Sequence, residues 1–85
     1  MTDFAWSSRA IDDLMAIARL DFDQASRIND AMQLHARTRQ GDVVKLAGRR
    51  DEWRLRVGKW RVIYTRHTDG TLEVLAIRDR RDAYE

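Results

Sequence analysis

Trp53-Arg54-Leu55-Arg56-Val57-Gly58-Lys59-Trp60-Arg61-Val62-Ile63-Tyr64 is the stretch that decides the fold of this chain. Apolar and basic residues alternate with a period of two, which is the mark of a half-buried strand. Gly58-Lys59 interrupts the alternation and suits a two-residue hairpin turn. Such a turn sets Val57 opposite Trp60, Arg56 opposite Arg61, Leu55 opposite Val62 and Trp53 opposite Tyr64. One face of the hairpin then carries Trp53, Leu55, Val57, Trp60, Val62 and Tyr64, enough to pack against helices. The other face carries Arg54, Arg56, Arg61 and Ile63.

Strand signals continue on both sides. Val43-Val44-Lys45-Leu46 reads as a strand that Gly48 ends. Asp69-Gly70 reads as a second two-residue turn, with Leu72 to Ile77 as the last strand. That register sets Arg61 opposite Arg78, so Arg56, Arg61 and Arg78 form a row across three strands, and it sets Arg66 opposite Glu73. Like charges directly opposed on a sheet destabilise it. An exposed face with only a structural role would cost less with Thr, Ser or separated charges. The row therefore points to a bound anion. Pairing of single arginines with Asp51, Glu52, Asp79 or Asp82, or splaying into solvent, is the structural alternative.

Upstream of residue 43 the period becomes helical. Phe4-Ala5-Trp6 reads as a short first strand, with Trp6 in the core. Ser7 or Ser8 caps a helix whose stripe is Ile11, Leu14, Met15 and Ala18. Asp21, with Gln24 three residues on, caps a second helix carrying Ala25, Ile28, Met32 and His35, and Gly41 is its stop. The expected architecture is α+β in the order β-α-α-β-β-β-β, a helical hairpin on one face of a small antiparallel sheet. Residues 1–85 form one domain: a first strand and helical hairpin over 1–42, then the sheet and a basic tail over 43–85.

Composition agrees with an anion-binding role. Fourteen of the sixteen basic residues are arginine, whose planar fork matches phosphate. Residues 1–42 hold five Lys or Arg against seven Asp or Glu, whereas residues 43–85 hold eleven against seven. There is no cysteine, so disulfides and thiolate metal sites are excluded. No apolar run has the length of a bilayer span, and no signal peptide opens the chain, so the expected location is cytoplasmic with no membrane partner. His35 and His67 lack the neighbours of a metal or acid–base site and read as structural. No cofactor or metal is expected.

Lys45-Leu46-Ala47-Gly48, the stretch from Trp53 to Tyr64, and Arg80-Arg81-Asp82-Ala83-Tyr84 together resemble the RelE/ParE superfamily of bacterial type II toxins, on its RelE-like side. The likeness covers the second half of the chain closely and the first half in element order only. It implies a toxin that cleaves messenger RNA at the ribosome, arrests growth and is neutralised by a cognate antitoxin, with operator DNA touched only through that complex. By position it implies cleavage roles for Arg54, Arg56, Arg61, Arg80 and Tyr84. Asp79 stands where the family often has histidine, so no histidine role transfers.

Cleavage by the adjacent 2′-hydroxyl needs a base, cations for the phosphorane and an acid for the leaving oxygen. Arginine suits the cationic task but cannot serve as base near neutrality. Arg56, Arg61 and Arg80 are assigned to phosphate stabilisation and Arg54 to positioning, with Lys45, Arg78 and Arg81 as further RNA contacts. Tyr84 has three readings: a base favoured by nearby cations, a nucleobase stacker, or an anchor for the tail. A ParE-like inhibitor of DNA gyrase and a non-catalytic nucleic-acid-binding domain are the competing functions.

Overall fold

A computed structural model describes residues 4–46 and 51–81. The predicted Gly48 strand end and Tyr84 lie outside these residues. Seven elements follow in the order expected: β1 (Phe4–Trp6), α1 (Ser8–Leu20), α2 (Phe22–Thr38), β2 (Val43–Lys45), β3 (Glu52–Val57), β4 (Trp60–Arg66) and β5 (Leu72–Asp79). The sheet runs β1-β5-β4-β3-β2. It is mixed rather than antiparallel throughout, because β1 joins β5 in parallel, Phe4 opposite Leu72 and Trp6 opposite Val74. The helical hairpin carries the chain from β1 at one edge of the sheet to β2 at the other, and β5, reached after three antiparallel strands, returns beside β1.

Both helices open on side-chain caps. The Ser7 hydroxyl accepts from Ala10 N, and Asp21 accepts from Gln24 N while Gln24 Nε2 donates back to it. Each cap satisfies an orphan donor of the first turn. The stripe of α1 differs from expectation. Ala10 and Ile17 are buried with Leu14 and Ala18 beside them, whereas Ile11 and Met15 are about half exposed. Helical spacing admits both stripes, and packing of α1 over β5 selects the one rotated by a single residue. On α2 the expected Ala25, Ile28, Met32 and His35 are buried. That helix ends on Arg39, in the left-handed region at φ 63, and not on Gly41. Gly41 has another function: at φ +138, a Cβ there would stand 2.9 Å from Leu55 Cδ1.

The β3–β4 register is the predicted one throughout, Val57 opposite Trp60 and Arg56 opposite Arg61. The β4–β5 register is not. His67 N donates to Thr71 O and Gly70 N to His67 O, so the turn holds three residues, with Gly70 left-handed at φ +92. Arg66 therefore faces Leu72, and Glu73 faces Thr65, which removes the predicted Arg66–Glu73 pair. Glu73 instead accepts from His67 Nε2 at 2.9 Å. A bulge at Leu75, held by Ser7 Oγ donating to its carbonyl, restores the phase. Beyond it Arg61 faces Arg78, as expected.

The helices cover the face bearing Leu55, Val57, Val62, Tyr64, Leu72, Val74 and Ile77, all buried. Trp6, Trp53 and Trp60 pack at the border of this core.

Candidate nucleic-acid interface

The face turned away from the helices is built in rows set by pairing. Arg56, Arg61 and Arg78 form the first. Val44, Arg54, Ile63 and Ala76 form the second, and Glu52, Thr65, Glu73 and Ala5 the third. The face is therefore basic at the end near the Gly58-Lys59 turn, apolar in the middle and acidic at the other end.

Arg61 lies at the centre of the basic row and is only 7% exposed. The one hydrogen bond of its guanidinium among the described residues runs from Nη1 to Trp60 O, at 3.5 Å. No ion pair among the described residues engages Arg54, Arg61 or Arg78. The Nε of Arg54, one row below, is buried with no hydrogen-bond partner among them. Burying a cation without an acceptor is costly, and two like charges beside it add to the cost. Like charges set directly opposite one another on neighbouring strands repel. A phosphate bridging the heads would relieve that repulsion with paired N–H···O bonds.

Arg56 is placed differently. Asp42, the residue before β2, accepts from its Nε at 2.8 Å and from its backbone N at 2.9 Å. This pair was missed from sequence because the β2–β3 connection carries no two-residue turn to set a register. At the same end of the sheet Arg80 N donates to Lys59 O at 2.7 Å. Asp79 accepts from Arg81 N at 3.0 Å and lies 3.8 Å from Lys59 Nζ and 3.5 Å from Arg81 Nε. Its carboxyl is held below the usual carboxylate range, first by the Arg81 backbone N–H and further by the Arg81 and Lys59 charges. Where a histidine was absent, Asp79 closes the turn that presents Arg80 and Arg81, both exposed.

Of the predicted site residues, the structure thus gathers Arg54, Arg56, Arg61 and Arg78 on one face, with Arg80 and Arg81 at its end. Tyr84 is outside the described residues. Lys45 is not brought to this face. It pairs with Trp53 on the helix side, its Nζ 5.6 Å from the Trp53 ring centroid. An odd shift between Lys45 and Arg54 decides this, since alternation sends them to opposite faces.

The family model described as the ParE toxin of type II toxin–antitoxin systems, parDE, matches residues 4–84. Among solved structures, the chain is similar to a YoeB/ParE toxin from Agrobacterium tumefaciens, at 25% identity and TM-score 0.75, over 92% of this chain and 98% of that one. An archaeal RelE–RelB complex from Pyrococcus horikoshii OT3 shares the fold at 22% identity and TM-score 0.75, over 93% and 94%. So does the RelBE2 toxin–antitoxin complex from Mycobacterium tuberculosis, at 18% identity and TM-score 0.74, over 93% and 98%. No match is found among curated protein sequences.

Proposed function

Because the chain belongs to the ParE toxin family of type II toxin–antitoxin systems, within the RelE/ParE superfamily, we propose that it is the toxin component and acts as a metal-independent endoribonuclease on messenger RNA at the ribosome. The observation that carries this is Arg61, a nearly buried cation set between Arg56 and Arg78 with no carboxylate against it among the described residues. A nucleic-acid phosphate supplies the missing charge.

In the proposed reaction the 2′-oxygen attacks the adjacent phosphorus and the bond to the 5′-oxygen breaks. Arg56, Arg61 and Arg80 hold the non-bridging oxygens as negative charge grows, the use of preorganised donors that lowers such barriers most. Arg54 orients the strand, with Arg78 and Arg81 extending the backbone contact. Tyr84 is the assigned base, since none of the arginines gives up a proton near neutrality. Base stacking and anchoring of the tail remain its other readings. A cognate antitoxin is the assigned partner, with operator DNA contacted through the complex, and the cytoplasm is the assigned location.

The second reading is inhibition of DNA gyrase by binding, and the match to the ParE family model favours it. One pair of assays separates the two. Purified protein added to a translation reaction gives codon-phased cuts by primer extension under the first reading. Under the second it leaves the messenger whole and abolishes supercoiling by gyrase. Intact messenger together with unimpaired gyrase would refute both.

A further inference from the structure

A cleft of about 460 Å³ opens between α1 and the end of β5, around the edge of the sheet from the arginine row. Its apolar walls are Ala16, Ile17 and Leu20 on the helix and Trp60 and Ile77 on the sheet. That volume falls in the range of about 300–1,000 Å³ typical of small-molecule sites. Arg78 lines the cleft as well, so cleft and row meet at one residue.

Strand β5 outruns its neighbour here. β1 pairs with Leu72, Glu73 and Val74, whereas β5 continues to Asp79. Arg80 N donates to Lys59 O, so alternation turns the main-chain groups of Ile77 and Asp79 away from β4. Asp13 Oδ2 accepts from the Ile77 N–H at 3.0 Å. No strand pairs the Ile77 carbonyl or the Asp79 N–H among the described residues. An acceptor and a donor two residues apart therefore lie along the cleft.

The charges of the cleft are balanced, Arg9 and Arg78 against Asp13 and Asp79. Asp13 lies 3.9 Å from Arg9 Nε, and Asp79 is held by Arg81 and Lys59. A bare anion belongs on the row, where no carboxylate competes. Balanced charge, apolar walls and one main-chain donor–acceptor pair suit a flat, neutral group instead. The hollow at the end of α2 offers no such pair, because its polar groups bond one another. Gln40 O can only accept, so His35 Nδ1 donates to it at 2.9 Å, and the Tyr64 hydroxyl donates to His35 Nε2 at 2.7 Å.

We propose that the cleft between α1 and β5 is a nucleobase subsite. It rests on the reading of the arginine row as a phosphate site: with a phosphate on Arg61 and Arg78, the neighbouring base turns over the edge of β5. Its hydrogen-bonding edge meets the Ile77 carbonyl and the Asp79 N–H, and its faces meet the apolar walls. Every base carries a donor beside an acceptor, so the subsite orients a nucleotide without choosing among bases. An added peptide strand is the other occupant such an edge could take. Asp13 opposes it, since a pairing strand needs the Ile77 N–H that the carboxylate already holds.

The test compares a labelled oligouridylate with an abasic ribose-phosphate oligomer of equal length, by fluorescence anisotropy. The parent chain should bind the oligouridylate about tenfold more tightly. Ala16→Phe, at an exposed helical position, fills the cleft. It should bring oligouridylate affinity close to the abasic level and change abasic affinity less than about twofold. Should that variant lose its melting transition, Ala16→Gln should weaken the oligouridylate about threefold. Arg61→Gln should weaken both probes alike. Equal binding of the two probes by the parent overturns the subsite and leaves the phosphate row standing, whereas binding of neither overturns both. A base preference that survives filling of the cleft overturns the subsite, as do equal losses of both probes in Ale16-filled protein. Capture of a labelled threonine–valine peptide, lost in Ala16→Phe while the base preference stays, assigns the cleft to strand addition.

Discussion

Asp42 holds Arg56 twice, by its carboxylate on Nε at 2.8 Å and by its carbonyl on the backbone N–H at 2.9 Å. The first bond fixes where the guanidinium points, and the second fixes the strand that carries it. The two side chains are about half exposed, 44% for Arg56 and 55% for Asp42. A pair so wet contributes about 1 kcal/mol or less to stability. Asp42→Asn should therefore shift the denaturation midpoint little and slow RNA cleavage about tenfold, since a misplaced positioning group costs rate far more than stability. Parallel losses of rate and stability would make Asp42 a structural residue only.

Arg61→Met exchanges a nearly buried cation for an apolar side chain of similar length. Relieving the repulsion of Arg56 and Arg78 should leave stability unchanged or raise it. RNA affinity should fall more than about tenfold, because a charge-assisted bidentate contact is lost. Denaturant titration and anisotropy on the same preparation read both effects. A destabilised variant would mean that Arg61 is held by the fold rather than kept for a ligand.

Alkaline pH should weaken the fold through Tyr64. Burial raises its pKa above the ordinary 10.0, so the folded state keeps the phenolic proton longer than the unfolded chain does. The stabilisation is complete below about pH 10 and is lost as pH climbs past that value and through the folded pKa. Melting temperature should drop across that window in the parent. In Tyr64→Phe, already less stable by about 1–2 kcal/mol for the stranded His35 Nε2, the drop should be smaller.

Gly41→Ala should destabilise the chain by about 1–3 kcal/mol. Its φ of +138 lies where L side chains are strained, and the new Cβ would press on Leu55 Cδ1 at 2.9 Å. Thermal melting checks this, and a loss of several degrees is the expected size for a domain this small.

Tyr84→Phe should abolish cleavage and leave the melting curve in place. Retained cleavage would remove the hydroxyl from the proposed mechanism, and a shifted melt would favour the anchoring role.

The sequence made the central hairpin legible because everything that sets its register lies within twelve consecutive residues. Gly58-Lys59 fixes the pairing by geometry, and alternation then assigns the faces. The Arg61–Arg78 neighbour relation was also reached, but through two departures that cancel. The Asp69-Gly70 turn holds one residue more than expected, and the Leu75 bulge absorbs the difference. Between the turn and the bulge, where the departures do not cancel, the predicted Arg66–Glu73 pair is absent.

Other features had no local signature. Ile11 and Met15 fit a helical stripe as well as Ala10 and Ile17 do, so contact with β5 had to choose. Lys45 looked like one more member of a basic surface until pairing with Trp53 placed it behind the sheet. Asp42 looked like a loop acid until β2 brought it to Arg56.

Residue order alone determined the element sequence, the helix caps and a sheet with one apolar and one arginine-bearing face, since each depends on periodicity and turn chemistry over a few neighbours. Tertiary structure decided the parallel docking of β1, the anchoring of Arg56 by Asp42 and the placing of Lys45 on the side opposite the arginine row. Those depend on which strands meet and in what register. A shift of one residue there exchanges faces without changing any local pattern.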